Sequence, residues 1–88
     1  MSTSGWIGVD LDGTLAHYEG WKGIDHVGAP IPLMVERVKK WLAEGVTVKI
    51  FTARVYDHLN DQDLQEQVRK PIRAFCREHF GQELEITC

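Results

Sequence analysis

Apolar positions along the 88-residue chain fall into three short runs and two longer helical stripes. The runs over 6–10, 46–52 and 84–87 have the length and composition of buried strands. The segments 31–44 and 64–80 place apolar residues three and four positions apart, which predicts amphipathic helices. Strands alternating with helices predict a parallel sheet with helical crossovers, so we expect an α/β protein.

Residues that are typical of helix ends define the bounds of the two predicted helices more closely. Pro32 suits the first turn of the first helix and Gly45 suits its C-cap. Residues 57–62 supply several possible caps for the second helix, and 63–66 resemble a capping box. Pro71 lies inside the second helical stripe, so we expect the helix to kink or restart there.

The segment 14–30 has no helical or strand periodicity and contains several residues that favour turns: Gly20, Gly23, Gly28 and Pro30. It predicts a loop or a short flap hairpin. Tyr18, Trp21 and His26 lie in this flap, where they either close over a site or pack the loop onto the body.

Two carboxylates end the first predicted strand. Asp10 and Asp12 have one residue between them, and Gly13 allows a sharp turn that brings their carboxylates together. Close anions repel each other unless a cation lies between them, and Mg²⁺ prefers such oxygen ligands. The alternative is a turn cap without function. A calcium loop is excluded, because Leu15 and Trp21 stand where such a loop has Gly and Glu.

Residues 10–15, Asp-Leu-Asp-Gly-Thr-Leu, resemble the first signature of the haloacid dehalogenase (HAD) superfamily. Residues 48–54, an apolar strand ending in Thr-Ala-Arg, resemble the second signature. Most members of that superfamily are Mg²⁺-dependent phosphatases or phosphotransferases. The resemblance implies a three-layer, Rossmann-like fold with a parallel sheet, a small flap and no large cap domain, in one domain over 1–88.

The resemblance also implies roles for individual residues. Asp10 would be the nucleophile that forms an aspartyl-phosphate, and Asp12 the general acid and base. Asp10 would bind Mg²⁺ through its side chain and Asp12 through its carbonyl. The substrate, a small phosphomonoester, would contact Gly13, Thr52, Ala53 and Arg54. Explanations without a functional role stay open for two of these residues. Thr52 is a residue type that favours strands, and an Arg after a strand is often only a solvated charge.

The chain also departs from the family pattern, which continues with a basic residue and then acidic residues after a further strand. No position here matches them, so we expect a domain incomplete at its C-terminus, with activity near background. Two function classes stay open, a phosphatase or a non-catalytic HAD-like binding or assembly module. The first strand would then have an open edge with unpaired Ile7 and Val9 amides, which predicts self-association.

Composition and net charge limit the classes of binding partner and the cellular compartment that we expect. The net charge is −3, so nucleic acid is not expected, and no apolar run is long enough to span a bilayer. We expect a cytoplasmic protein with no membrane partner. Cys76 and Cys88 do not suggest a disulfide framework, and the four histidines have no metal-ligand spacing.

Overall fold

A computed structural model describes residues 5–18, 20, 22–23, 26–56 and 60–87, except for the Tyr56 side chain. Three strands and three helices are present in these residues: β1 (Ile7–Asp10), α1 (Pro32–Ala43), β2 (Val48–Phe51), α2 (Ala53–Tyr56), α3 (Gln62–Phe80) and β3 (Glu85–Thr87). Among them there is no helix with the length and apolar character that a membrane span requires. Trp21 of the predicted flap lies outside the described residues.

The strands form one parallel sheet in the order β1-β2-β3. Its register places Val9 opposite Ile50, and Ile50 opposite Ile86. The predicted α/β architecture with a parallel sheet is therefore confirmed. Each strand is one to three residues shorter than its apolar run, because a strand ends where neighbour pairing ends rather than where apolar residues end.

The described residues form two layers, a sheet and one helical layer, whereas the resemblance implied three. Buried residues of α1 and α3 join one face of the sheet in a single core: Val9, Val38, Val48, Ile50, Val68, Ile72, Phe75, Cys76 and Ile86. On the other face Trp6 is 48% exposed and Phe51 is 45% exposed. Successive right-handed crossovers between neighbouring strands place both helices on the same side, which explains the open face.

The helices follow the local chemistry of the sequence with two corrections, both in α3. Pro32 occupies the first turn of α1 as predicted, and Gly45 after its C-cap has φ +81°. The α3 N-cap is Asp61, whose carboxylate accepts the backbone N–H three residues on at 3.1 Å, so the capping box predicted at 63–66 is wrong. The α3 helix runs unbroken through Pro71, so the predicted restart is also wrong, while the kink stays a prediction.

The outer edge of β1 presents different amides from those expected. Ile7 donates its N–H to the Thr47 carbonyl at 2.9 Å, toward β2. Because N–H directions alternate along a strand, Val9 also faces β2, and the Gly8 and Asp10 amides face outward. The prediction that the Ile7 and Val9 amides form the open edge is therefore wrong. The open edge itself is present in the described sheet, where β1 pairs with β2 alone.

Candidate functional site

The candidate residues lie at the carboxyl edge of the sheet. Asp10 ends β1 opposite Phe51, the last residue of β2, and Thr52 follows at once. Thr52 donates its N–H to the Thr87 carbonyl at 3.0 Å, which brings the end of β3 to the same edge. The carboxyl edge is where parallel α/β sheets place ligands, and Asp10 is exposed there.

A tight turn follows β1. Gly13 has φ +82°, a conformation that side chains disfavour, so the predicted sharp turn is confirmed. The Leu11 carbonyl accepts the N–H groups of Leu15 and Ala16 at 3.0 and 2.9 Å, and the leucine side chains of the turn are fully buried. Gly13 donates its own N–H to the Ala16 carbonyl at 2.8 Å. This N–H is therefore already hydrogen-bonded within the turn, and substrate binding by Gly13 stays a prediction.

Thr52 caps the short helix α2, which the apolar pattern did not predict. Its hydroxyl oxygen accepts the Arg54 backbone N–H at 3.2 Å, and the residue is 2% exposed. A hydroxyl that accepts one hydrogen bond keeps its own proton to donate. Ala53 is exposed at the start of α2. Thr52 therefore has a structural role, and the phosphate contact that the resemblance implied stays a prediction.

Arg54 forms a two-pronged ion pair with Asp12. Its Nε donates to Asp12 Oδ2 at 2.9 Å, and its Nη2 donates to Asp12 Oδ1 at 2.7 Å. Its Nη1 donates to the His26 carbonyl at 2.7 Å. The Arg54 side chain is 7% exposed, so the reading of this residue as a solvated charge is wrong. Fork-to-fork pairs of this kind are short, strong and directional.

The described arms of the flap pair in the antiparallel sense, so of the two predicted forms, a loop or a short hairpin, the contacts favour the hairpin. Ala16 bridges to Pro30, and His17 donates its N–H to the Ala29 carbonyl at 2.8 Å. Gly28 lies so close to the other arm that a Cβ at this position would overlap the His17 carbonyl oxygen. Ala16 also bridges to Asp12, so the base of the flap lies beside that residue.

A cavity of about 230 Å³ lies under the flap. Its polar and aromatic lining residues are Asp12, His17, Tyr18, Lys22, His26 and Arg54, and the remaining ones are two glycines and an alanine. Tyr18 is 55% exposed, so it lines the cavity without being packed into the body. Of the two roles considered for the flap side chains, this position favours closing over a site.

The oxygen donors at the edge fit Mg²⁺ in kind. Asp10 has an exposed carboxylate, whereas the carboxylate of Asp12 is engaged by Arg54. That the backbone carbonyl of Asp12 binds the cation, as the resemblance implied, stays a prediction. Within the described ranges no group of three His, Cys, Asp or Glu side chains is placed to hold a metal ion. Two protein oxygens leave the other positions of an octahedral Mg²⁺ to water or substrate.

Two contacts of this site were missed by sequence reasoning. The Asp12–Arg54 pair had a usable signal, because opposite charges directly follow the ends of two strands predicted to be parallel and adjacent. The His26 contact had none, since a backbone carbonyl can come from any residue type.

No family model matches this chain, and comparisons with curated proteins and with solved structures also gave no match. The site is therefore interpreted from its own geometry and from the two motifs.

Proposed function

We propose that the protein is a HAD-like, Mg²⁺-dependent phosphohydrolase that acts on a small phosphomonoester through an aspartyl-phosphate at Asp10. One observation carries the proposal: Asp10 is exposed at the carboxyl edge of the sheet, while Arg54 holds the next acidic residue, Asp12, beside a cavity. Two carboxylates with different environments suit two different chemical roles.

The reaction would proceed in two steps. A carboxylate oxygen of Asp10 attacks phosphorus and the bond to the leaving-group oxygen breaks, while Asp12 gives that oxygen a proton. Asp12 then takes a proton from water, which attacks the phosphorus of the aspartyl-phosphate, releases inorganic phosphate and restores Asp10. Bound Mg²⁺ would reduce the repulsion between the Asp10 carboxylate and the phosphate.

Asp12 lines the flap cavity, whereas Asp10 is not among its lining residues. Because Asp12 protonates the leaving group, the leaving group would occupy this cavity and the phosphoryl group would lie nearer the sheet edge. The Thr52 hydroxyl, with the backbone at Ala53 and Gly13, would contact the phosphoryl oxygens. Arg54 would not contact these oxygens, because its Nε and Nη2 hold Asp12.

The test is Mg²⁺-dependent hydrolysis of p-nitrophenyl phosphate. We expect slow turnover that increases with Mg²⁺ concentration, since two protein oxygens bind the ion weakly. Asp10→Asn should abolish this turnover, because an amide is not a nucleophile toward phosphorus. Asp63→Asn removes the same charge from the exposed first turn of α3 and is the matched control. Turnover that survives in Asp10→Asn would remove the nucleophile assignment.

The second candidate is a non-catalytic HAD-like binding or assembly module. The engagement of the Asp12 carboxylate by Arg54 favours it, because a carboxylate held in an ion pair is less available for proton transfer. Its signature would be binding of inorganic phosphate and Mg²⁺, measured by calorimetry, with no turnover by any variant.

The third layer implied by the resemblance is also a proposal. The exposed side of the sheet, with Trp6 and Phe51, is the face that such a layer would cover. Parallel sheets are usually covered on both faces, which supports this placement.

A further inference from the structure

We propose that Arg54 is a positioning residue that joins Asp12 to the flap, so that the Asp12 carboxylate and the flap become ordered together. The catalytic meaning of this link depends on the proposed function of Asp12, but the link itself does not.

The base of the Arg54 side chain is rigid. Thr52 caps the helix that carries it, and Gln65 Nε2 donates to the Val55 carbonyl at 2.6 Å, which ties this helix to α3. The neighbouring Val55 side chain is 2% exposed and belongs to the core. The guanidinium is therefore presented from a fixed part of the body.

Among the described residues, the guanidinium contacts Asp12 on one side and the flap on the other. Two of its nitrogens hold both oxygens of Asp12, and Nη1 holds the carbonyl of His26, which lies 28 residues earlier in the flap. All three distances lie between 2.7 and 2.9 Å. With the side chain only 7% exposed, these charge-assisted bonds are poorly screened by water. Asp12 and the flap thus share one anchor.

This arrangement argues against Arg54 as a direct phosphate ligand. A phosphate oxygen that took the Nε and Nη2 donors would displace the Asp12 carboxylate from its partner. Arg54 therefore acts on the reaction through Asp12. A planar fork is needed for this, so lysine at the same position would keep the charge and lose the geometry.

A double-mutant cycle read by amide hydrogen exchange tests the link. The probe is the His17 amide, whose partner is the Ala29 carbonyl in the flap hairpin. Asp12→Ala, Arg54→Gln and Arg54→Lys should each raise its exchange rate at least about tenfold, since charge-assisted bonds are lost. In Asp12→Ala/Arg54→Gln the rate should match that of Arg54→Gln alone, because both substitutions break one connection.

The matched control is the exposed pair on α3, in which Arg73 Nη1 lies 2.6 Å from Glu66 Oε1. Arg73→Gln removes an arginine–carboxylate pair without touching the flap, and it should leave the His17 amide unchanged. The Ile50 amide, in the central strand, reports global unfolding. Equal acceleration of the His17 and Ile50 amides would mean general destabilisation and would overturn the proposal. Additive effects in the double variant, or no effect of Asp12→Ala, would overturn it as well.

Turnover supplies an independent readout. In a protein with measurable activity, Arg54→Lys should lower kcat and leave KM unchanged. An increase in KM with kcat unchanged would identify a phosphate-binding residue and would overturn the proposal. Non-additive exchange without any turnover would support the link while removing the proposed phosphatase function. Turnover together with additive effects on exchange would support the phosphatase function and overturn the proposed link.

Discussion

Replacing Gly28 with alanine should destabilise the protein through one contact in the flap. Gly28 is not among the glycines with positive φ, so backbone freedom alone gives alanine no penalty here. Alanine lowers the conformational entropy of the unfolded chain relative to glycine, and this effect alone would stabilise the Gly28→Ala fold by about 0.4–1 kcal/mol. The structure predicts the opposite sign, because the new Cβ would overlap the His17 carbonyl oxygen.

The size of the effect follows from what must move. The new Cβ is attached directly to the main chain, and the three atoms nearest to it all belong to the His17 main chain, so no side chain can rotate away and the two arms of the hairpin must separate. Overpacking of this kind costs about 1–3 kcal/mol. The separation also strains the hydrogen bond of 2.8 Å between the His17 N–H and the Ala29 carbonyl.

Urea unfolding followed by circular dichroism measures the change, with Gly5→Ala as the matched control. A Cβ at Gly5 meets no atom within 4 Å, so that variant should be neutral or slightly more stable. We expect Gly28→Ala to lie at least about 1 kcal/mol below Gly5→Ala. Equal or greater stability of Gly28→Ala would refute the close approach of the two flap arms.

Two further predictions concern pH and assembly. Burial raises the pKa of the Cys76 thiol from 9.0 to about 11, so between these values the unfolded chain loses a proton that the folded chain keeps. The free energy of unfolding should therefore fall as pH rises through this window, by at most about 2.7 kcal/mol. Urea titrations from pH 8 to 11 measure this slope, and Cys76→Ala should lack it; parallel curves would contradict it. The open edge of β1 predicts self-association, which sedimentation over a range of concentrations detects; a monomer at high concentration with freely exchanging Gly8 and Asp10 amides would contradict it.

The sequence was sufficient for the sheet and for the turn that follows β1. Short apolar runs that alternate with amphipathic helices predict a parallel sheet, which the structure has. Gly13 predicted the turn correctly. Both features depend on the local pattern of residue types and on the backbone conformation that those residue types favour, so a single sequence is enough to predict them.

Features set by tertiary packing were not accessible in the same way. The α3 helix continues through Pro71 because Val68, Ile72 and Phe75 bury one continuous stripe, which offsets a cost of about 3 kcal/mol for an interior proline. The outward-facing amides of β1 follow from its register against β2, and a shift by one residue would exchange them. Neither fact can be derived from hydrophobic periodicity.

We propose above all that Asp10 is the residue that carries the phosphoryl group. The direct measurement is to incubate the protein with acetyl phosphate and Mg²⁺, quench it with acid, reduce it with borohydride and map the peptides by mass spectrometry. Borohydride converts an aspartyl-phosphate to homoserine, so we expect homoserine at position 10, dependent on Mg²⁺ and absent from Asp10→Asn. Homoserine at Asp12, or no homoserine at saturating acetyl phosphate and Mg²⁺, would contradict it.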